Sequence, residues 1–346
     1  MKIGIKLGDV RRDALRRRTS ASEVEALFVK MSELVDFMFS EIFKVIVGQR
    51  EVIEEILISL LSKGHSLIEG YPGLGKTLMV KVIAEVMNLK FSRIQCTPDL
   101  MPSDIIGTYL IEEENGKKVF RFQKGPIFTN ILLADEINRA TPKTQSALLE
   151  SMQEKQVSVG NETIKLEEPF FVLATQNPIE MEGTYPLPEA QLDRFLLKIN
   201  VKYPSKEEEE KIVDIYATTD IPQIKKIIRK RDVLMLQELT RRIPISKENK
   251  RYAIDIVSAT RPEFPENEIA KEYLDYGASP RASIGLVVAA KARALINGRE
   301  YVTKEDIEKM SYPVLRHRII LNFESERKGV DPDRVIEKII KEVKKS

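Results

Sequence analysis

The stretch Gly70-Tyr71-Pro72-Gly73-Leu74-Gly75-Lys76-Thr77 decides the fold. It fits G-x-x-x-x-G-K-[ST] at every fixed position. A short apolar run, His65–Glu69, precedes it and a helical pattern, Lys76–Met87, follows it, the strand–loop–helix setting that a phosphate-binding loop requires. Glycines let the backbone close around a phosphate chain that a Cβ would obstruct. The loop amides and the helix N-terminus add partial positive charge. Gly70, Pro72, Gly73, Leu74 and Gly75 are therefore expected to cradle the phosphates of ATP. Lys76 is expected to reach the β- and γ-phosphates, and Thr77 Oγ to ligate Mg²⁺. The competing reading is a plain glycine-rich turn that caps a helix.

Outward from this loop, short apolar runs alternate with helical patterns. Arg50–Lys63 sets Ile53, Ile56, Leu57 and Leu60 on one helical face, and Thr144–Glu154 is a further helix. Phe91–Cys96, Asn130–Asp135, Pro169–Thr175 and Phe195–Val201 read as strands. Strands that are apolar nearly throughout suit a parallel sheet covered by helices on both faces. The expected fold class is α/β, followed by an all-α domain. After Tyr203-Pro204 no further strand is expected, and helices are read around Glu207–Thr218, Asp232–Arg242, Lys247–Thr260, Ser279–Asn297, Lys304–Leu315 and Arg334–Val343. Thr303 with Asp306 is a capping-box signature. Towards the N-terminus, Val24, Leu27, Phe28, Met31, Leu34, Val35 and Met38 fit one helical face. The expected division is a poorly ordered basic arm over 1–22, an α/β domain over 23–204 and a helical domain over 205–346. The arm carries Lys2, Lys6, Arg11, Arg12, Arg16, Arg17 and Arg18, and is either a solvated terminus or a contact for nucleic acid or anionic lipid.

Composition narrows the function. The 346 residues suit two or three domains, and 42% hydrophobic with 31% charged residues is a globular balance. Basic and acidic residues nearly cancel, 55 against 53, so charge alone argues for no nucleic-acid partner. Cys96 is the single cysteine, which excludes an intrachain disulfide; with no signal peptide visible, the expected compartment is the cytoplasm. His65 and His317 are the only histidines and form no zinc-ligand spacing. No apolar run approaches the ~20 residues of a membrane span.

Four further segments carry chemistry. Ile131-Leu132-Leu133-Ala134-Asp135-Glu136 is an apolar strand ending in two carboxylates. Strand alternation is expected to point them to opposite sides, Asp135 holding the water shell of Mg²⁺ and Glu136 polarising the attacking water. Phe171-Val172-Leu173-Ala174-Thr175-Gln176-Asn177-Pro178 ends another apolar strand, with Asn177 expected to orient that water beside the γ-phosphate. Arg194, in Gln191-Leu192-Asp193-Arg194-Phe195, stands at the mouth of the next strand, where it is expected to point at a neighbouring subunit's γ-phosphate. Gly277-Ala278-Ser279-Pro280-Arg281 opens a helix with Ser279 as cap and Pro280 in the first turn. A cation there opposes the helix dipole, and a bound phosphate would explain Arg281. Taken singly, each has a bland reading: an acidic turn, an Asn-Pro turn, two surface arginines.

Together these motifs, in this order, resemble the AAA+ P-loop NTPases. Longer stretches resemble their MoxR branch: Leu133-Ala134-Asp135-Glu136-Ile137-Asn138-Arg139-Ala140, Ala174-Thr175-Gln176-Asn177-Pro178-Ile179-Glu180, Glu182-Gly183-Thr184-Tyr185-Pro186-Leu187-Pro188-Glu189-Ala190-Gln191-Leu192-Asp193-Arg194-Phe195 and Gly277-Ala278-Ser279-Pro280-Arg281-Ala282-Ser283. The likeness covers about residues 32 to 320 and does not reach the basic arm. It implies Gly48-Gln49 as the nucleotide-base segment, Lys76 and Thr77 as Walker A, and Asp135 and Glu136 as Walker B. It implies Asn177 as sensor 1, Arg194 as arginine finger and Arg281 as sensor 2, acting in cis or in trans. Gln95–Phe122, turning at Asn115-Gly116, fits the family's insertion. Gln156–Leu166, alternating about Gly160-Asn161, fits a hairpin that either faces a ring pore or is a surface ribbon.

The resemblance implies a Mg-ATP-hydrolysing ring motor, a homo-oligomer and in particular a hexamer. It implies chaperone-like remodelling of client protein complexes, whose members include von Willebrand factor A domain proteins. Two alternatives are a nucleic-acid-stimulated AAA+ motor, which the balanced charge disfavours, and a nucleotide-gated scaffold without turnover.

Overall fold

The computed structural model describes residues 21–114, 117–160, 162–178, 183–217 and 222–345. The basic arm up to residue 20, the expected turn residues Asn115, Gly116 and Asn161, and Ile179, Glu180, Glu182 and Thr218 of the expected segments lie outside them. The first half builds α1 (Ala21–Ile42), α2 (Arg50–Leu61), β1 (Ser66–Glu69), α3 (Lys76–Val86) and β2 (Phe91–Gln95). Next come α4 (Pro102–Ile106), the ribbon β3 (Gly107–Glu114) and β4 (Lys117–Lys124), then β5 (Ile131–Asp135), a 3-10 turn over Ile137–Arg139, and α5 (Pro142–Glu154). The hairpin β6 (Gln156–Val159) and β7 (Glu162–Lys165) leads to β8 (Phe171–Gln176), α6 (Glu189–Leu192) and β9 (Leu197–Asn200).

Five of these strands form one sheet in the order β2-β5-β8-β1-β9, and every neighbouring pair is parallel. Alternation along the strands divides two apolar cores. Ile68, Ile131, Leu133, Phe171 and Leu173 face one side, towards α1, α2 and α3. Leu67, Leu132, Ala134, Val172 and Ala174 face the other, towards α5 and β6. A sheet buried on both faces needs apolar residues at both parities, which these strands supply.

From residue 205 the chain is chiefly helical: α7 (Lys206–Tyr216), α8 (Lys230–Arg242), α9 (Lys247–Ser258), α10 (Glu268–Tyr273), β10 (Leu274–Tyr276), α11 (Pro280–Ile296), α12 (Lys304–Leu315), β11 (Ile320–Leu321), α13 (Phe323–Arg327) and α14 (Pro332–Val343). The small antiparallel pair β10–β11 corrects the expectation of helices only. Strands of two and three residues are too short to display a period-two pattern. The capping box expected at Thr303 and Asp306 is present, as is one at Ser205 and Glu208.

The helical part packs directly on the sheet domain. The first core runs without a break from Ile53 and Leu57 of α2 through Ala282, Leu286 and Ala289 of α11 to Val314 and Ile336. Helix α11 is rich in buried alanine, so neighbouring backbones approach closely. At Gly285 an added Cβ would sit 3.0 Å from Leu196 Cδ1, just ahead of β9. Among the described residues no helix is long and apolar enough to cross a membrane.

Candidate active site

The phosphate loop leaves the C-terminal end of β1, which lies between β8 and β9, and ligands of open parallel sheets bind at the carboxyl ends of the strands. Gly70 N–H donates to Gln176 O at 3.4 Å, tying the loop to the end of β8. Gly73 and Gly75 take positive φ, 81° and 72°, and a Cβ built on either meets nothing within 4 Å. That open cradle lies over the start of α3, whose N-cap, Gly75, offers no side chain to the first amides. Backbone N–H groups without a side-chain cap, at a positive helix end, fit an anion. Lys76 Nζ folds back on the loop carbonyls, 2.5 Å from Gly70 O and 3.3 Å from Tyr71 O. Burial lowers its pKa, while Asp135, Glu136 and Glu69 pull the other way. Beside the loop, Val45, Ile46, Val47, Leu78, Ile212 and Tyr216 line an apolar cavity of about 120 Å³ that Gln49, Gly73 and Gly75 also border. Gln49 Nε2 donates to Lys202 O at 2.8 Å. Gly48 (φ 66°) lies against the Glu208 carboxylate, in an adjoining groove.

Asp135 is the last residue of β5. Its Oδ1 accepts from Thr175 Oγ1 at 2.6 Å and its Oδ2 from Arg93 Nη2 at 2.6 Å and Nε at 3.1 Å. Glu136 does not continue the strand: φ 57° and ψ 53° place it in the left-handed region. The two carboxylates therefore separate by a backbone turn, which corrects the expected alternation. Thr175 holds that turn together, because its Oγ1 also accepts the Glu136 N–H at 2.9 Å. Glu136 Oε2 accepts from Gln95 Nε2 and from Arg139 Nη1, both at 3.0 Å. Asn177 is buried one residue beyond β8. Lys76, Thr77, Asp135, Glu136 and Asn177 thus all stand at the same edge of the sheet.

Asp135 and Thr77 offer the oxygen ligands suited to Mg²⁺, which keeps several waters and is usually shared with substrate phosphates. Among the described residues no group of three or more His, Cys, Asp or Glu is placed to hold a metal alone. A cation here would accordingly come with the phosphates, sharing Asp135 with Arg93.

Arg194 and Arg281 stand elsewhere. Leu197 pairs with Ser66 at the start of β1, whereas the phosphate loop follows Glu69 at its end. Arg194, ahead of Leu197, therefore belongs to the opposite edge, with the ~13 Å of a four-residue strand between. Arg281, in the first turn of α11, joins it there, and its Nη1 lies 3.2 Å from Asp193 Oδ2. Both arginines border a cavity of about 580 Å³. Within the subunit Arg281 thus meets a carboxylate.

Several neighbours of these residues carry no motif of their own. Arg93 and Gln95 sit on β2, adjacent to β5, so the registers Arg93↔Leu133 and Gln95↔Asp135 bring them to the acidic pair. The alternation of β2 gives the only hint, since both stand at positions of one parity on a strand that ends at the same edge.

Residues 65–197 match the profile of the ATPase family associated with various cellular activities, and residues 266–339 that of the AAA lid domain. The chain is 48% identical over 304 residues to Chaperone MoxR1 of Mycobacterium tuberculosis, covering 88% of this chain and 80% of that one. It is 43% identical over 302 residues to the uncharacterised Bacillus subtilis protein YeaC, covering 87% and 91%. A crystal structure of a candidate ATPase from Cytophaga hutchinsonii superposes with a TM-score of 0.87 at 46% identity, covering 92% of this chain and 97% of that one. On this sequence relationship and this shared architecture, the chain belongs to the MoxR family of AAA+ ATPases.

Proposed function

We propose that the chain is the repeating subunit of a ring, a hexamer, that hydrolyses Mg-ATP between subunits and uses the lid to remodel or activate client protein complexes. One observation carries the reading: Lys76, Asp135, Glu136 and Asn177 lie at one edge of the sheet, and Arg194 and Arg281 at the other. In a head-to-tail ring, one subunit's second edge completes its neighbour's first. Arg281 then acts in trans, like Arg194.

In this scheme the amides of Gly73 to Thr77 and the Lys76 ammonium bind the triphosphate, and Gln49 borders the base. Thr77 Oγ, and Asp135 through the ion's water shell, would hold Mg²⁺, which would supply charge that offsets the phosphates. Asn177 orients the attacking water and Glu136 accepts its proton. Arg194 and Arg281 of the neighbour stabilise the charge that spreads over the transferring phosphoryl oxygens. Gln95 and Arg139 keep the Glu136 carboxylate in a defined place before the water arrives. We place the division between the α/β domain and the lid at Pro204, so that lid movement pivots beside the base pocket.

The clients are protein complexes, von Willebrand factor A domain proteins among them, and the compartment is the cytoplasm. Support for the client class comes from the relative named as a chaperone. Arg194→Ala should bind ATP within a few-fold of wild type yet lose about 10³-fold in kcat, the lower range for an arginine finger. Steady-state hydrolysis with a nucleotide-binding assay checks it, and wild-type turnover by Arg194→Ala would sink the scheme.

A further inference from the structure

The turn that bears Arg194 is held by the lid. Of the three residues that follow α12, Arg316 reaches β9, and His317 and Arg318 reach the turn itself. Arg316 Nη1 donates to Lys198 O at 3.0 Å, while its Nε and Nη2 hold Asp333 at 3.0 and 2.9 Å. His317 Nε2 lies 3.0 Å from Phe195 O; a carbonyl only accepts, so this nitrogen carries the proton. Arg318 Nε donates to Asp193 Oδ1 at 2.7 Å, Nη1 to Leu196 O at 3.0 Å, and Nη2 to Phe195 O at 2.6 Å and Asp193 O at 3.3 Å. Nη1 also donates to Val314 O, in the lid itself.

The Arg318 side chain is only 3% exposed. A buried guanidinium with a rigid fork of donors tolerates little displacement, because a shift leaves charge and carbonyls unpaired. The Asp193 carboxylate is divided between two arginines, Oδ1 to Arg318 and Oδ2 to Arg281. Among the residues lining the cavity at this edge Asp193 is the only carboxylate, against Lys63, Lys155, Arg194, Arg241, Arg281 and Arg318. Lys63 and Lys155 have Glu168 as a further partner, but Arg281 and Arg318 share Asp193, and without that carboxylate held in place the two guanidinium groups would repel each other.

We propose that Arg318 is a positioning residue for the arginine finger: it fastens the Asp193–Leu196 turn to the lid, so that Arg194 and Arg281 reach the neighbouring subunit's phosphates as one unit. The finger then follows the lid of its own subunit, and the position of one lid sets the geometry of the next active site. The proposal rests on the reading of Arg194 and Arg281 as acting in trans.

The test uses mixed rings of full-length chains, co-expressed with two tags and purified through both. Arg194→Ala keeps its phosphate loop and lacks a finger. Lys76→Ala keeps the finger and lacks the phosphate-binding lysine. On the trans reading each is inactive alone and the mixed ring hydrolyses ATP. Arg318→Lys is then added to one partner at a time. In the Lys76→Ala partner, which donates the finger, it should lower the recovered kcat about 100-fold, the effect of misplacing a catalytic group by about an ångström, with KM for ATP unchanged. In the Arg194→Ala partner it should leave the recovered rate within about twofold, because that subunit's finger edge is already silent. Equal losses in both placements would make Arg318 merely structural and overturn the proposal, as would no loss in either. If Arg318→Lys fails to fold, Asp193→Asn, at a part-exposed carboxylate, takes its place and must show the same asymmetry. A parent mixture with no recovered activity would instead overturn the trans reading beneath it.

Discussion

Thr175 illustrates how much of this site rests on residues one step from the chemistry: a single hydroxyl donates to Asp135 and accepts from the Glu136 amide, so it sets the angle between the two carboxylates. The phosphate loop makes the complementary point with side chains it lacks. Gly73→Ala puts a methyl into the open cradle and forces an L-residue to φ 81°. That conformation costs roughly 1–2 kcal/mol of stability. ATP affinity should fall tenfold or more, ~1.4 kcal/mol of binding, as read by calorimetric titration; unchanged affinity would remove the loop from the nucleotide site. His65 is held neutral. Val172 N–H donates to its Nδ1 at 3.0 Å, and its Nε2 reaches Met152 O at 3.0 Å. Burial, aided by Lys155 and opposed by the Met152 hydrogen bond, pulls its pKa from 6.5 to about 4. The folded ring stays neutral where the unfolded one takes a proton. Its contribution is therefore whole above pH 6.5 and fades as pH falls towards 4, by roughly 3 kcal/mol at most. His65→Asn should flatten stability against pH over that window, leaving a residual slope from His317, which burial also keeps neutral. Denaturant melts at several pH values would show it, and an unaltered slope would contradict it.

At the scale of elements, α12 is locked to the rest of the lid by Asp306. This wholly buried carboxylate accepts from Arg293 at 2.6 Å, from the Thr303 amide and hydroxyl at 2.9 Å each, and from Arg299. Arg293 also approaches Glu54 of α2 at 3.6 Å, so the cap of one lid helix is joined to the sheet domain. Asp306→Ala takes the buried carboxylate from Arg299 and leaves Arg293 only the longer contacts to Glu54 and Glu305, 3.6 and 3.5 Å, and should cost about 3–5 kcal/mol. Chemical denaturation measures it, and a loss under about 1 kcal/mol, the scale of a lone helix cap, would mean that the cluster is only a cap. The Thr303–Asp306 signature was legible because a capping box is local, three residues apart. The strand–loop–helix around Lys76 was legible for the same reason, its glycines having fixed spacing between an apolar run and a helical one. The lid clamp on β9 was not. Arg316, His317 and Arg318 bond mainly to backbone carbonyls far away in the chain, and carbonyls have no residue signature. Arg93 and Gln95 were missed likewise, because strand order, not sequence spacing, brings β2 beside β5. The left-handed turn at Glu136 was masked by an apolar run that reads as continuing strand.

The central sheet has two unlike ends. At one, glycines, a lysine and two carboxylates gather where the parallel strands end. At the other, Arg281 and Arg318 of the lid meet at Asp193, the residue before Arg194. The unbroken apolar core from α2 to α11 and α14 joins sheet domain and lid face to face rather than by a slack tether. Sequence motifs named the members of both ends and set Arg194 at the mouth of a strand, but left Arg281 in cis or in trans; the register Ser66↔Leu197 gives the separation. On the proposed reading of Arg194 and Arg281 in trans, hydrolysis belongs to the contact between subunits, and an isolated chain holds only half of what it needs. The direct measurement is ATPase rate per subunit across a wide dilution series, with mass photometry of the same samples. The split site predicts that specific activity rises with concentration in step with ring formation and is negligible in the monomer. A constant specific activity down to concentrations at which only monomers remain would contradict it.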